Sequence, residues 1–154
     1  MNVILLRHGI AEPHGTRADD DARVLTDRGK RKMKEIAPAL AKLFPKAEAI
    51  YSSPLPRCTQ TAEFVAKIYK MRVKKLDILR PGSDPDSLQK FLESASERNL
   101  IVVGHEPHLS ATMLHLTGMR ADGEIELKKG GCYRVRWSSG GGTLEWMLPP
   151  RAMR

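Results

Sequence analysis

Aromatic side chains are scarce, at 5% of 154 residues, and cysteine occurs only twice. Few aromatics means few stacking platforms, which weakens any reading as a single-strand nucleic-acid binder. The lysines and arginines do not form one stripe either: they scatter over Arg28 to Lys32, Lys70 to Lys75, Lys128-Lys129 and the C-terminus. Cys58 and Cys132 stand far apart in different predicted elements and frame no disulfide scaffold, so both read as reduced packing residues. No apolar run approaches membrane-spanning length. Met1-Asn2 leads directly into an apolar segment without a basic n-region or a cleavage site, so the expected location is the cytoplasm, with no membrane partner.

Several enzyme signatures are missing too. There is no Walker loop, no G-x-S-x-G elbow and no G-x-G-x-x-G turn. His105-Glu106-Pro107-His108 lacks the spacing and the proline-free helix of a zincin, and His108 reads as a helix-start or surface residue. A phosphatase built on a cysteine thiolate needs an arginine six positions after the cysteine, where this chain has Phe64 and Ser138.

What is present suits one domain over residues 1–154. The formal charge of +8 favours an anionic partner, although solubility alone also explains a basic surface. Val3 to Leu6 is a short apolar run, two of its residues β-branched, that suits a strand covered on both faces. Ile10 to Leu25 is polar and reads as a mobile loop. Thr26 is placed to cap a helix with Met33, Ile36, Ala37, Leu40 and Leu43 inward and a kink at Pro38. A strand over 47–52 follows, then a helix to about Lys70 capped by Ser53 and opened by Pro54, with Cys58, Ala62, Val65 and Tyr69 inward.

The pattern then predicts a strand over 73–79, a helix from Asp84-Pro85, a strand over 99–104 and a helix over 107–117 closed by Gly118. Alternation over 124–127, 132–137 and 143–148 predicts three terminal strands, the last two joined at Gly140-Gly141-Gly142. Strands alternating with helices imply an α/β fold of three layers, α/β/α, whose mainly parallel central sheet is finished by antiparallel strands.

The chemistry gathers at strand ends, where open α/β sheets place their ligands. Arg7-His8-Gly9 follows the first strand, Ser52-Ser53 leads from the second toward Arg57, and Gly104-His105 follows the fourth. A histidine at a strand end also suits a core imidazole bonded to backbone, and the first stretch alone does not separate the two readings. Convergence separates them. Two guanidiniums, two imidazoles and a helix N-terminus around one point fit a tetrahedral dianion, because arginine's planar fork bonds phosphate oxygens in pairs. One neutral imidazole can attack phosphorus while the other stabilises charge; His8 is assigned attack and His105 stabilisation.

Arg7-His8-Gly9, the block Leu25 to Gly29, the block Ser52 to Ala62 and Val103 to Pro107 together resemble the histidine phosphatase superfamily, and in particular its short, SixA-type phosphohistidine phosphatases. The resemblance runs from Met1 to about Gly118 and more loosely beyond. It implies a phosphoglycerate mutase-like fold, a phosphate pocket of Arg7, His8, Arg57 and His105 with Gly9 and Ser53 beside it, and a phosphoryl group carried on His8 without a metal or other cofactor. Larger members insert a segment after the second helix and strand that shapes a lid and supplies a proton donor. Here Lys70 to Pro81 leaves no room for it. The general acid therefore stays open among Glu12, the Asp19 to Asp21 run and Glu106.

The expected substrate is phosphohistidine on a histidine phosphotransfer domain or a phosphocarrier, met by a monomeric enzyme. An imidazole leaving group, with a conjugate-acid pKa near 6.5, needs less acid assistance than an alkoxide. A small-molecule phosphomonoesterase and a non-catalytic phosphoprotein reader are the alternatives, and nucleic acid is not an expected partner.

Overall fold

The computed structural model describes residues 1–154. Its sheet has six strands in the order β3-β2-β4-β1-β5-β6. They are β1 (Asn2–Arg7), β2 (Ala49–Ser52), β3 (Val73–Lys75), β4 (Asn99–Gly104), β5 (Cys132–Ser138) and β6 (Gly141–Leu148). The first four run parallel, and β5 and β6 turn antiparallel along the β1 side. Four helices cover the two faces: α1 (Asp27–Leu43), α2 (Pro56–Tyr69), α3 (Pro85–Ser94) and α4 (His108–Thr117).

Alternation along β1 sorts the core. Ile4 and Leu6 point into the layer with α1 and α2, where Met33, Ile36, Leu40, Ala62 and Val65 are buried. Val3 and Leu5 point the other way, against Leu88, Leu92, Leu109 and Met113 of α3 and α4. All four β1 side chains are fully buried, as a strand covered on both faces requires. The molecule is thus the three-layer α/β/α sandwich that the alternation of elements implied. No helix is long and apolar enough to cross a membrane.

Several local expectations give way to tertiary context. β3 stops at Lys75 and a 3₁₀ turn covers Asp77–Leu79, because β2 offers only Ala49–Ser52 as a partner and the Leu76 amide already donates to its last carbonyl, at Ser52. Residues 124–127 alternate but form no strand, since β1 is flanked by β4 and β5 and no edge is left beside them; only Leu127 is buried. Leu43 is 45% exposed, and Phe44, the residue that ends α1, takes the core position instead. Pro38 lies inside α1, where the sequence placed it. Ser53 and Pro54 do not open α2: Leu55 is its cap residue, without a side-chain bond, and Pro56 is its first residue. The hairpin turn is shorter than the glycine run, because Gly141 and Gly142 already belong to β6.

The segment between β1 and α1 is irregular yet pinned. Ala11 bridges Leu25, a 3₁₀ turn at Asp20–Ala22 is capped by Asp19, and Arg23 is 5% exposed with its Nη1 donating to the Glu12 carbonyl at 2.8 Å.

Candidate active site

Register builds the site. β1 and β4 pair residue for residue up to Arg7 opposite Gly104, and β2 pairs β4 up to Ser52 opposite Val103. The next residues, His8, His105 and Ser53, therefore leave the sheet side by side. Backbone bonds fix the exits: the His8 amide donates to the Gly104 carbonyl at 3.1 Å, and the Ser53 amide to Val103 at 3.0 Å. The two imidazoles meet edge to face with centroids 5.4 Å apart. Both are nearly inaccessible, at 5% and 3% exposure.

Each ring is held by one neighbour. His8 Nδ1 lies 2.7 Å from the Gly9 carbonyl oxygen, which can only accept, so the proton sits on Nδ1 and the Nε2 lone pair is bare. His105 Nε2 lies 2.8 Å from Ser53 Oγ, with Cys58 Sγ at 3.4 Å. Burial drives the His8 pKa down to about 3 against the pull of the Gly9 bond, and the cations Arg57, Arg7 and Lys129 push the same way. His105 is likewise lowered to about 3, chiefly by burial and then by His8 and Arg57. Both rings are neutral at pH 7, the state in which an imidazole is a nucleophile. The Cys58 thiol, pushed up to about 12 by burial, is inert.

Arg57 enters at the second position of α2 and is 4% exposed. Its Nε has no partner, its Nη1 reaches only the Asp21 carbonyl at 3.5 Å, and no carboxylate pairs with it. Burial depresses its pKa, and the neighbouring Arg23 adds to that. A buried guanidinium without a counter-charge is costly unless an anion supplies one.

The remaining sequence candidates are placed as follows. Arg7 Nε is buried without a partner, while Nη1 bonds Glu126 Oε1 at 2.7 Å and the Leu127 carbonyl. The Gly9 amide donates to Thr61 Oγ1 at 2.9 Å, and Thr61 in turn donates to the Arg57 carbonyl at 2.7 Å, so Gly9 ties β1 to α2. A Cβ on Gly9 would stand 3.0 Å from Met33 Cγ, so the glycine serves close packing as α1 passes over it. Ser53 is spent on His105 and on the Leu55 amide at 3.3 Å.

Glu12 is clamped by Arg17 at 2.6 Å and held below the usual carboxylate range by that bond. Asp19 accepts from the Asp21 amide at 3.0 Å. Glu106 differs: burial raises its pKa despite bonds from Ser110 Oγ at 2.9 Å and from the Leu127 amide at 3.5 Å. His108 starts α4 as expected but is buried.

Three residues that the structure brings to the site escaped the sequence reading. Arg23 and Lys129 bring positive charge to the pocket from irregular segments, where no periodicity marks a buried side chain. Thr61 sits one helical turn after Arg57, and that spacing was the signal available for it. No three His, Cys, Asp or Glu side chains cluster to hold a metal ion.

Fold and pocket together define an enzyme that handles phosphoryl groups, a phosphatase. Residues 3–81 match the family model of the histidine phosphatase superfamily, branch 1, and the chain belongs to that superfamily. An uncharacterized protein of Picosynechococcus sp. is 31% identical over 140 residues, covering 88% of this chain and 85% of that protein. The structure of the protein histidine phosphatase SixA complexed with tungstate superposes with a TM-score of 0.89 at 24% identity, each chain covered in full. A phosphoserine phosphatase mutant from Entamoeba histolytica in complex with phosphoserine gives a TM-score of 0.78 at 16% identity, with 99% of each chain covered. The chain therefore has the short, SixA-type build of the superfamily, and its fold is phosphoglycerate mutase-like.

Proposed function

We propose that the protein is a phosphohistidine phosphatase that acts through a covalent phosphoenzyme on His8. The observation that carries this reading is the buried Arg57 guanidinium, without a carboxylate, beside a neutral His8 whose bare nitrogen faces away from its Gly9 anchor. Arg57 and Arg7 bind the phosphoryl oxygens. His8 Nε2 forms a bond to phosphorus as the substrate's P–N bond breaks, and the substrate ring, already protonated on its other nitrogen, leaves as neutral imidazole. Water then attacks the phosphorus on His8, freeing inorganic phosphate and restoring the neutral ring. His105, neutral in the free site, donates a hydrogen bond to the oxygens, and the arriving dianion raises its basicity.

Two features support a protein-borne substrate. The segment between α2 and α3 holds only β3 and one 3₁₀ turn, with no inserted lid. The structure of the protein histidine phosphatase SixA superposes with each chain covered in full. No cofactor enters this scheme, and one copy of the chain supplies every group in it.

The test is radiolabelling. Wild type incubated with a labelled phosphohistidine protein should trap acid-labile, base-stable phosphate that His8→Ala does not. Label surviving that substitution overturns the reading.

One observation favours a second reading, a small-molecule phosphomonoesterase. Glu106 follows His105 directly, and burial raises its pKa, the direction a proton donor to an alkoxide needs. Glu106→Gln separates the two. A phosphohistidine enzyme keeps most of its turnover in this variant, because imidazole leaves without strong acid assistance. A monoesterase loses about a hundredfold or more, which is what a general acid contributes.

A further inference from the structure

Beside the phosphate pocket, between α1, residues 124–131 and the C-terminal turn, opens a groove of about 1010 Å³. That volume lies at the upper end of the range for small-molecule sites, roughly 300–1,000 Å³. Arg7, Lys32, Lys128, Lys129 and Arg151 line it, against only Glu124 and Glu126. Apart from Ile10 and two prolines its wall is wholly charged, which suits no apolar peptide.

Arg7 is paired with Glu126, but Lys32, Lys128, Lys129 and Arg151 have no carboxylate at ion-pair distance. Lys129 is held below the usual lysine range by burial and then by Arg7 and Arg23, and Lys32 by burial and then by Arg28 and Arg154. Arg7 joins the two regions: its Nη1 is held by Glu126 at the groove, and its charge acts on His8 in the pocket. The Gly130 amide, donating to the Arg7 and His8 carbonyls at 3.2 and 3.1 Å, fixes the Lys128-Lys129 loop to the end of β1.

We propose that this groove is the docking surface for an acidic face of the protein that presents the phosphorylated histidine. The inference rests on the substrate reading above and adds where, and by what chemistry, the carrier binds. The cations come from four separate stretches of chain and line a groove of about 1010 Å³, far more than one phosphate or carboxylate fills, whereas carboxylates spaced over a protein surface can meet them. The interspersed Glu124 and Glu126 break the run of positive charge that a nucleic-acid backbone would follow, and they give a protein partner basic contacts as well.

The experiment uses an acidic histidine phosphotransfer domain phosphorylated with phosphoramidate, and p-nitrophenyl phosphate as a probe that reaches only the phosphate pocket. In Lys32→Glu/Lys128→Glu/Arg151→Glu, kcat/KM on the phosphoprotein should fall at least tenfold at 50 mM salt, through KM, and the gap from wild type should close by 0.5 M. Electrostatic steering of association covers about 10- to 1,000-fold. Turnover of p-nitrophenyl phosphate should be unchanged, which also shows that the variant is folded. Equal phosphoprotein kinetics in variant and wild type overturns the docking surface while leaving the substrate reading intact. Loss on 3-phosphoglycerate with phosphoprotein turnover kept also overturns it and makes the groove a small-anion subsite. Wild type that cleaves p-nitrophenyl phosphate but no phosphohistidine protein at any salt removes the substrate reading, and the docking proposal with it.

Discussion

Lowering the pH should unfold this protein earlier than its carboxylates alone would dictate. Folded His8 and His105 titrate near 3, while an unfolded histidine titrates near 6.5. Above pH 7 both states hold these rings neutral and the folded state keeps its full stability. As pH falls through 6.5 toward 3, the unfolded chain takes up protons that the folded site refuses, so stability is lost across that window. Each proton of difference is worth about 1.4 kcal/mol per pH unit. At pH 6 an unfolded imidazole is about three-quarters protonated, so two give a slope of about 2 kcal/mol per unit. Integrated from pH 6.5 to 5.5, the loss is about 2 kcal/mol, a large share of a margin of about 5–15 kcal/mol. His108, also lowered by burial, acts in the same direction. The lowered carboxylates Glu12, Asp20, Asp86 and Glu97 weaken only nearer their own titration, below about pH 5. Urea unfolding at pH 7.5, 6.5 and 5.5 measures the slope, and the His8→Asn/His105→Asn variant should flatten most of it. A wild-type midpoint that does not move over this range, or a double variant with the same slope, refutes the reasoning.

Two further substitutions probe the scaffold of the site. In Gly29→Ala the new Cβ would stand 2.1 Å from the Ile10 carbonyl oxygen, which also accepts from the Thr26 amide at 3.0 Å and its hydroxyl at 3.3 Å. The clash is with backbone, so overpacking costs about 3 kcal/mol, the upper end of its range, and helix propensity returns about 1; urea titration should show a net loss of about 2 kcal/mol, and equal stability would contradict the close approach. Ser53→Ala removes the partner of His105 Nε2; kcat should fall about tenfold with KM little changed, and the acid limb of the pH–rate profile should move. An unmoved profile would make Ser53 a packing residue only.

The site was legible where local sequence and global topology agree. His8 and His105 each follow an apolar run that only a buried strand explains, and Arg57 falls in a first helical turn whichever of the two neighbouring prolines opens it. Ser53 misled because serine before proline carries the same signal whether its hydroxyl caps a helix or turns to a histidine far along the chain, and only tertiary contact decides. Residues 124–127 misled similarly: alternation marks a segment with one apolar face, whether or not a strand edge waits beside it. Arg23 and Lys129 were invisible because irregular backbone gives no period against which a buried cation stands out. The block around Gly29 was noticed as a likeness, but its physical reason, the carbonyl of Ile10 against the helix, belongs to a contact between segments.

The pairing of β1 with β4 also bears on how the enzyme is made. Asn2 and Asn99, bonded side chain to side chain at 3.1 Å, open a ladder that closes a loop of 97 residues. The entropy of closing a loop rises only as the logarithm of its length, so the pairing is affordable, but contacts between such distant segments form slowly. No fragment confined to one side of that loop can hold both imidazoles, however well its helices form. A slip of one residue between these two strands would turn one of the rings to the opposite face of the sheet. Catalytic competence therefore reports the correct closure of the centre of the sheet, and a chain that has regained its helices without this ladder is a compact but silent enzyme.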